Sequence, residues 1–150
     1  MLKTSVLHPE ILAALAGAGH LAKVLISDGN YPHSTKPNPR AKLIYANFTP
    51  CVVDACTLLK MICDLVPIEA VEVMAPERSG AYAMQTDPPV WTRYRKILAG
   101  HSDFSGPLTE LDKPQFNQAA REEDVCLVIA SAEQEIFANL LITIGVVRHR

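Results

Sequence analysis

Three short stretches are apolar almost without interruption: KVLIS at 23–27, VCLVIA at 125–130 and NLLITIGVV at 139–147. Runs this short, rich in valine and isoleucine and bounded by polar residues, fit strands whose two faces are both buried. A strand buried on both faces needs layers packed above and below its sheet, and helices supply them. Helical patterns do lie before and between the runs. HPEILAALAGAG has Pro9 just inside a start, apolar residues at Ile11, Leu12 and Leu15, and glycine at its end, with Gly19 placed as a left-handed terminator. Pro50 introduces CVVDACTLLKMICDL, whose apolar positions recur at helical spacing; WTRYRKILAG is a short amphipathic helix, and Pro114 opens PQFNQAAREED. AKLIYAN and AVEVMA add strands, HSDFSGPLTELD has room for a short edge strand, and NYPHSTKPNPR and PERSGAYAMQTDPP read as loops. The expectation is an α/β fold: one layered domain over residues 1–150, with a central mixed or largely parallel sheet flanked by helices.

Composition narrows the function. Apolar residues make up 49% of the 150, charged residues 20%, and the net charge is −2. That describes a chain able to bury a core and lacking the basic field of a nucleic-acid binder. The basic end Arg148-His149-Arg150 is too short to change this and reads as a solvated terminus. No apolar stretch approaches a membrane span, and MLKTSVLHPE lacks the apolar core of a signal peptide. Cys51, Cys56 and Cys63 are expected on one helix and Cys126 within a strand; their spacing does not match paired metal ligands, so free thiols of a cytoplasmic protein are expected.

Familiar catalytic loops are missing. Gly17-Ala18-Gly19 closes a helix before a strand, the reverse of the order a dinucleotide-binding turn requires, and neither a phosphate-binding GxxxxGK[ST] loop nor a GxSxG elbow occurs. His20 stands at the entrance to the first strand, where a histidine can titrate near neutrality, or serve as a loop residue bonded to nearby backbone. Asp28 stands at the strand's carboxyl end, where ligands gather in open α/β sheets; Asp-Gly is equally a turn former. Asn139, after Phe137 and Ala138, offers a donor and an acceptor suited to hydroxyls, or to a cap. Tyr31, His33, Tyr82, Arg93, Tyr94, His101 and Lys113 are further polar candidates expected mostly at the surface, and Trp91 is expected in the core or at a subunit interface.

The run Gly19-His20, an apolar strand and then Ser27-Asp28-Gly29-Asn30-Tyr31-Pro32 resembles the G-H-x-D-x-(apolar)-D-A-x-x-P signature of the D-ribose pyranase and L-fucose mutarotase (RbsD/FucU) family. His8 to Leu12, Val73-Met74-Ala75, Arg93-Tyr94-Arg95 and Asn139-Leu140-Leu141 through Gly145-Val146 extend the resemblance nearly end to end, and Arg93-Tyr94-Arg95 resembles the fucose branch. The resemblance implies a cytoplasmic enzyme that interconverts anomers or ring forms of a free monosaccharide, L-fucose or a related sugar, with no cofactor or metal. It also implies a homo-oligomeric ring, a pentamer or a decamer of two stacked rings, with sites at subunit boundaries. Carried over residue by residue, His20 is the acid/base group, while Asp28, Asn139 and the backbone around Phe137 bind sugar, and Lys113 stands where the fucose enzymes have an arginine. Four positions depart from the pattern: Ala22 replaces the aspartate after the histidine, Phe137 a tyrosine, Ala138 a glycine and Lys113 that arginine. Two other readings stand beside the enzyme: a sugar-binding or regulatory protein without turnover, and a structural oligomer without a small ligand.

Overall fold

The computed structural model describes residues 2–148, so His149 and Arg150 of the basic end lie outside the described residues. The chain order is α1 (Pro9–Gly17), β1 (Lys23–Ser27), β2 (Lys42–Tyr45), α2 (Ala55–Cys63), β3 (Ile68–Met74), α3 (Pro89–His101), β4 (Leu108–Leu111), α4 (Lys113–Arg121), β5 (Val125–Ala130) and β6 (Leu140–Ile144). One six-stranded sheet runs β2-β5-β1-β6-β3-β4. All neighbours are parallel except β6, which is antiparallel to both β1 and β3.

The three apolar runs occupy the middle of this sheet, as their composition requires. Val24, Leu25 and Ile26 of β1 are all fully buried, and their side chains alternate between the two faces. Val24 and Ile26 join Leu127, Ile129, Leu140 and Ile142 beneath α1, α2 and α3. Leu25 joins Val128 and Leu141 beneath Phe116, Ala119 and Ala120 of α4. Burying each such aliphatic side chain contributes roughly 1.5–3 kcal/mol, which makes β1 the mechanical centre of the fold.

Three local expectations are corrected. Helix α2 starts at Ala55, where the Asp54 side chain accepts from Thr57 N at 2.8 Å; Pro50 instead leads into a turn in which Cys51 and Val53 take left-handed backbone. Cys51 therefore lies off the helix that carries Cys56 and Cys63. Gly19 does not terminate α1 in a left-handed conformation: the helix ends at Gly17 with Ala18 extended, and the positive φ falls on Leu21, at 70°. The reason is the sheet, because Leu21 N donates to Ile144 O and Ile144 N to Ala22 O, which fixes the entry to β1 against β6. Helix α4 begins one residue before Pro114, at Lys113, with Asp112 and Gln115 forming a reciprocal capping box.

Candidate active site

Because β6 runs antiparallel between β1 and β3, its first residue emerges beside their carboxyl ends, and its last residue beside their amino ends. Asp28 after β1 and Asn139 before β6 thereby meet across 111 residues of sequence. Asp28 N donates to Asn139 Oδ1 at 2.8 Å, and Asn139 Nδ2 donates back to Asp28 Oδ2 at 3.1 Å. Asp28 Oδ2 also accepts from Ala138 N at 3.2 Å, while Oδ1 accepts from Asn30 N at 3.0 Å and Tyr31 N at 2.9 Å. These four donors match the lone-pair capacity of a carboxylate. Burial raises the Asp28 carboxyl above the ordinary aspartate range, partly offset by the backbone N–H groups of Asn30, Ala138 and Tyr31. Gly29 has a steric reason in addition to turn chemistry: a Cβ there would stand 3.0 Å from Glu133 O, the atom to which its own N–H donates.

The turn at 137–139 is held from the other side by α3. Trp91 Nε1 donates to Phe137 O at 3.1 Å, and the Tyr94 hydroxyl donates to Ala138 O at 2.7 Å. Glu135 accepts from Val90 N at 2.9 Å at the first turn of α3 and pairs with Arg93. Phe137 itself sits at φ 57°, a left-handed conformation that costs a non-glycine residue energy and is held here by the bonds on both sides. Trp91 and Tyr94 are fully buried, so the core reading of Trp91 holds and the surface reading of Tyr94 is corrected. Burial pushes the Tyr94 hydroxyl up, which keeps it a proton donor.

Asp28, Phe137, Asn139 and Lys113 line one cleft of about 390 Å³, a volume in the range of small-ligand sites. Its other walls are Asn30, Tyr31, Pro32, Lys36, Met74, Glu77, Tyr82, Asn117 and Ile136. It opens at the carboxyl ends of β1, β3 and β4, where a doubly covered α/β sheet leaves space for a ligand. Lys113 Nζ lies 3.4 Å from Glu77 Oε1, so the cation at the rim already has an anionic neighbour. Tyr31 is buried, its ring set edge-on to Phe116 with centroids 6.1 Å apart, and burial together with the Asp28 charge pushes its hydroxyl to about 12. The Tyr31 hydroxyl and Asn117 Oδ1 have no hydrogen-bond partner among the described residues. Among the described residues no group of three His, Cys, Asp or Glu side chains is set to hold a metal, and the four cysteines are free thiols. No helix among the described residues is long and apolar enough to cross a membrane.

His20 is not at this cleft in the same chain. It precedes β1, whose five residues span roughly 16 Å at about 3.3 Å each, and so lies at the opposite end of that central strand. There its Nε2 lies 2.6 Å from Glu69 Oε2, with both side chains about half exposed. The other histidine and arginine candidates disperse: His101 pairs with Asp64, Arg93 with Glu135, and His33 lines a smaller cavity of about 140 Å³ beside β2. Glu77, Asn117 and Ile136 escaped sequence reasoning because nothing in their local patterns sets them apart. Glu69 was equally inconspicuous within its strand.

The family model described as the RbsD / FucU transport protein family matches residues 1–147. The chain is 28% identical over 147 residues to a Mus musculus protein named fucose mutarotase, covering 93% of this chain and 90% of that one. Its fold matches the Streptococcus pneumoniae fucose mutarotase solved in complex with L-fucose, with a TM-score of 0.80, 23% identity and coverage of 99% and 100% of the two chains. Bacillus subtilis RbsD solved with D-ribose aligns with a TM-score of 0.77 at 18% identity, covering 99% of this chain and 100% of that one.

Proposed function

Since the chain belongs to the RbsD/FucU family, we propose that it is a mutarotase, an isomerase interconverting the anomers or ring forms of a free monosaccharide, L-fucose or a related sugar. The observation that carries this reading is the full-length likeness to proteins named fucose mutarotase, combined with a cleft walled by Asp28, Asn139 and Lys113.

Mutarotation needs two proton movements. A base takes the proton from the anomeric hydroxyl as its oxygen forms the new carbonyl bond. The bond from the anomeric carbon to the ring oxygen breaks, and an acid delivers a proton to that oxygen. Rotation of the free aldehyde and reversal of both movements close the ring on the other face. An imidazole near its working pH can give and take protons in this way, and His20 is the residue in that role. Asn139 keeps one amide hydrogen after bonding Asp28, and that hydrogen with the Phe137 backbone and Lys113 offers hydrogen bonds to sugar hydroxyls. Asp28 holds this turn in place, and a sugar hydroxyl that reaches its carboxylate shares an oxygen with an internal donor.

The separation of His20 from the cleft supports a homo-oligomeric ring, in which the histidine edge of one copy faces the cleft of the next. The reaction takes place in the cytoplasm and uses no cofactor. Saturation-transfer NMR on equilibrated L-fucose, with D-ribose, galactose and rhamnose as comparisons, tests the reading. The expected result is anomer exchange that His20→Ala slows by roughly 10²–10⁴-fold. Absence of His20-dependent acceleration for every sugar overturns it, and ligand-induced shifts without acceleration favour a sugar-binding protein instead. The alanine at 22 and the missing hydroxyl at Phe137 are the observations that make that second outcome worth measuring.

A further inference from the structure

The amino edge of the sheet is shaped around one contact. Residue 22, two positions after the histidine, is alanine and offers His20 no carboxylate. Glu69 reaches the ring instead, from a strand 49 residues away, with Nε2 and Oε2 2.6 Å apart. Three features at the end of β6 bring the two side chains together. The β3–β6 register slips between Ile68 and Ala70, so Glu69 is the extra residue of a bulge, a device that re-aims a side chain. Gly145 lies against it so closely that a Cβ at 145 would stand 3.3 Å from Glu69 Cβ and 3.4 Å from Glu69 N. On the other side Leu21 holds a left-handed backbone, pinned by its bond to Ile144 O, and so sets His20 at the same edge.

We propose that Glu69 is the positioning residue for His20, its carboxylate accepting the Nε2 proton so that the ring is held in one tautomer with Nδ1 free to exchange protons with the sugar. A carboxylate on one ring nitrogen decides which nitrogen carries the proton and steadies the imidazolium that forms during transfer. This rests on the reading of His20 as the acid/base residue.

The test combines activity with ring spectroscopy on the intact protein. Two-bond proton–nitrogen correlations of His20, assigned by comparison with His20→Ala, are expected to show an Nε2-protonated ring. In Glu69→Ala the expected pattern is mixed tautomers, with anomer exchange reduced by about 10- to 100-fold in kcat and KM little changed. Glu69→Gln keeps an acceptor without the charge and is expected to hold the tautomer yet lose part of the rate. Adding Ala22→Asp to Glu69→Ala is expected to restore exchange, which separates positioning from a folding defect. Full exchange in Glu69→Ala, or lost exchange with an unchanged ring pattern, overturns the positioning role alone. A wild-type protein without His20-dependent exchange overturns the functional reading and this role together.

Discussion

At the scale of the single residue, Asp28 carries the most structure per atom. Its carboxylate satisfies four N–H donors from two places in the sequence: Asn30 and Tyr31 in its own turn, and Ala138 with the Asn139 side chain before β6. Asp28→Asn puts an amide NH₂ where donors converge, and the expected cost is about 1–3 kcal/mol by urea denaturation. The pH dependence has a definite sign. Burial raises the folded pKa above the usual 3.8, so the folded state holds the proton longer than the unfolded state. Stability from this group is fully present below 3.8 and is lost as pH rises through the raised folded value. The margin of wild type over Asp28→Asn is therefore expected to be widest in acid and to narrow as pH rises, and parallel curves would contradict it. The importance of Asp28 was legible in the sequence from its place after an apolar strand. Its two distant donors were not, because Ala138 and Asn139 lie more than a hundred residues away.

At the scale of elements, α3 does more than cover the sheet. Trp91 and Tyr94, three apart and so on one helical face, both donate to carbonyls of the 137–139 turn. Tyr94→Phe leaves Ala138 O without that donor in a buried setting, and a loss of about 1–2 kcal/mol in a denaturant titration is expected. A stability unchanged by this substitution would mean the turn holds itself. Strands and helices were legible here from periodicity and length, since apolar runs of five or six residues have few alternatives to buried strands. The errors fell where tertiary contacts outweigh local preference. The 49–53 turn cuts short a helical spacing that reads from Cys51 across Asp54 into α2, because Cys51 N and Ala132 N are drawn into bonds with Ala132 O and Val53 O. Leu21, not a glycine, takes the left-handed position because Ile144 of β6 grips its N–H and the carbonyl of Ala22 after it.

At the scale of the whole molecule, the antiparallel insertion of β6 leaves the candidate residues at the two ends of the central strands, with Asp28 and Asn139 at one and His20 and Glu69 at the other. If copies meet edge to cleft, His20→Ala and Asn139→Ala chains, each slow alone, are expected to recover activity when refolded together. With random mixing about one boundary in four carries both intact parts. No recovery, in mixtures shown by mass spectrometry to be hybrid, would place both residues' work within one copy. Local chemistry in the sequence determined the buried strands, their helical cover and the polar residues worth watching, because propensity, burial and turn preferences act over a few neighbouring residues. Strand order is a matter of which distant segments pair, and local patterns do not encode it. The strand between His20 and Asp28 was legible as a spacer, and the tertiary structure alone decided that Asp28 meets Asn139 and that Glu69 meets His20.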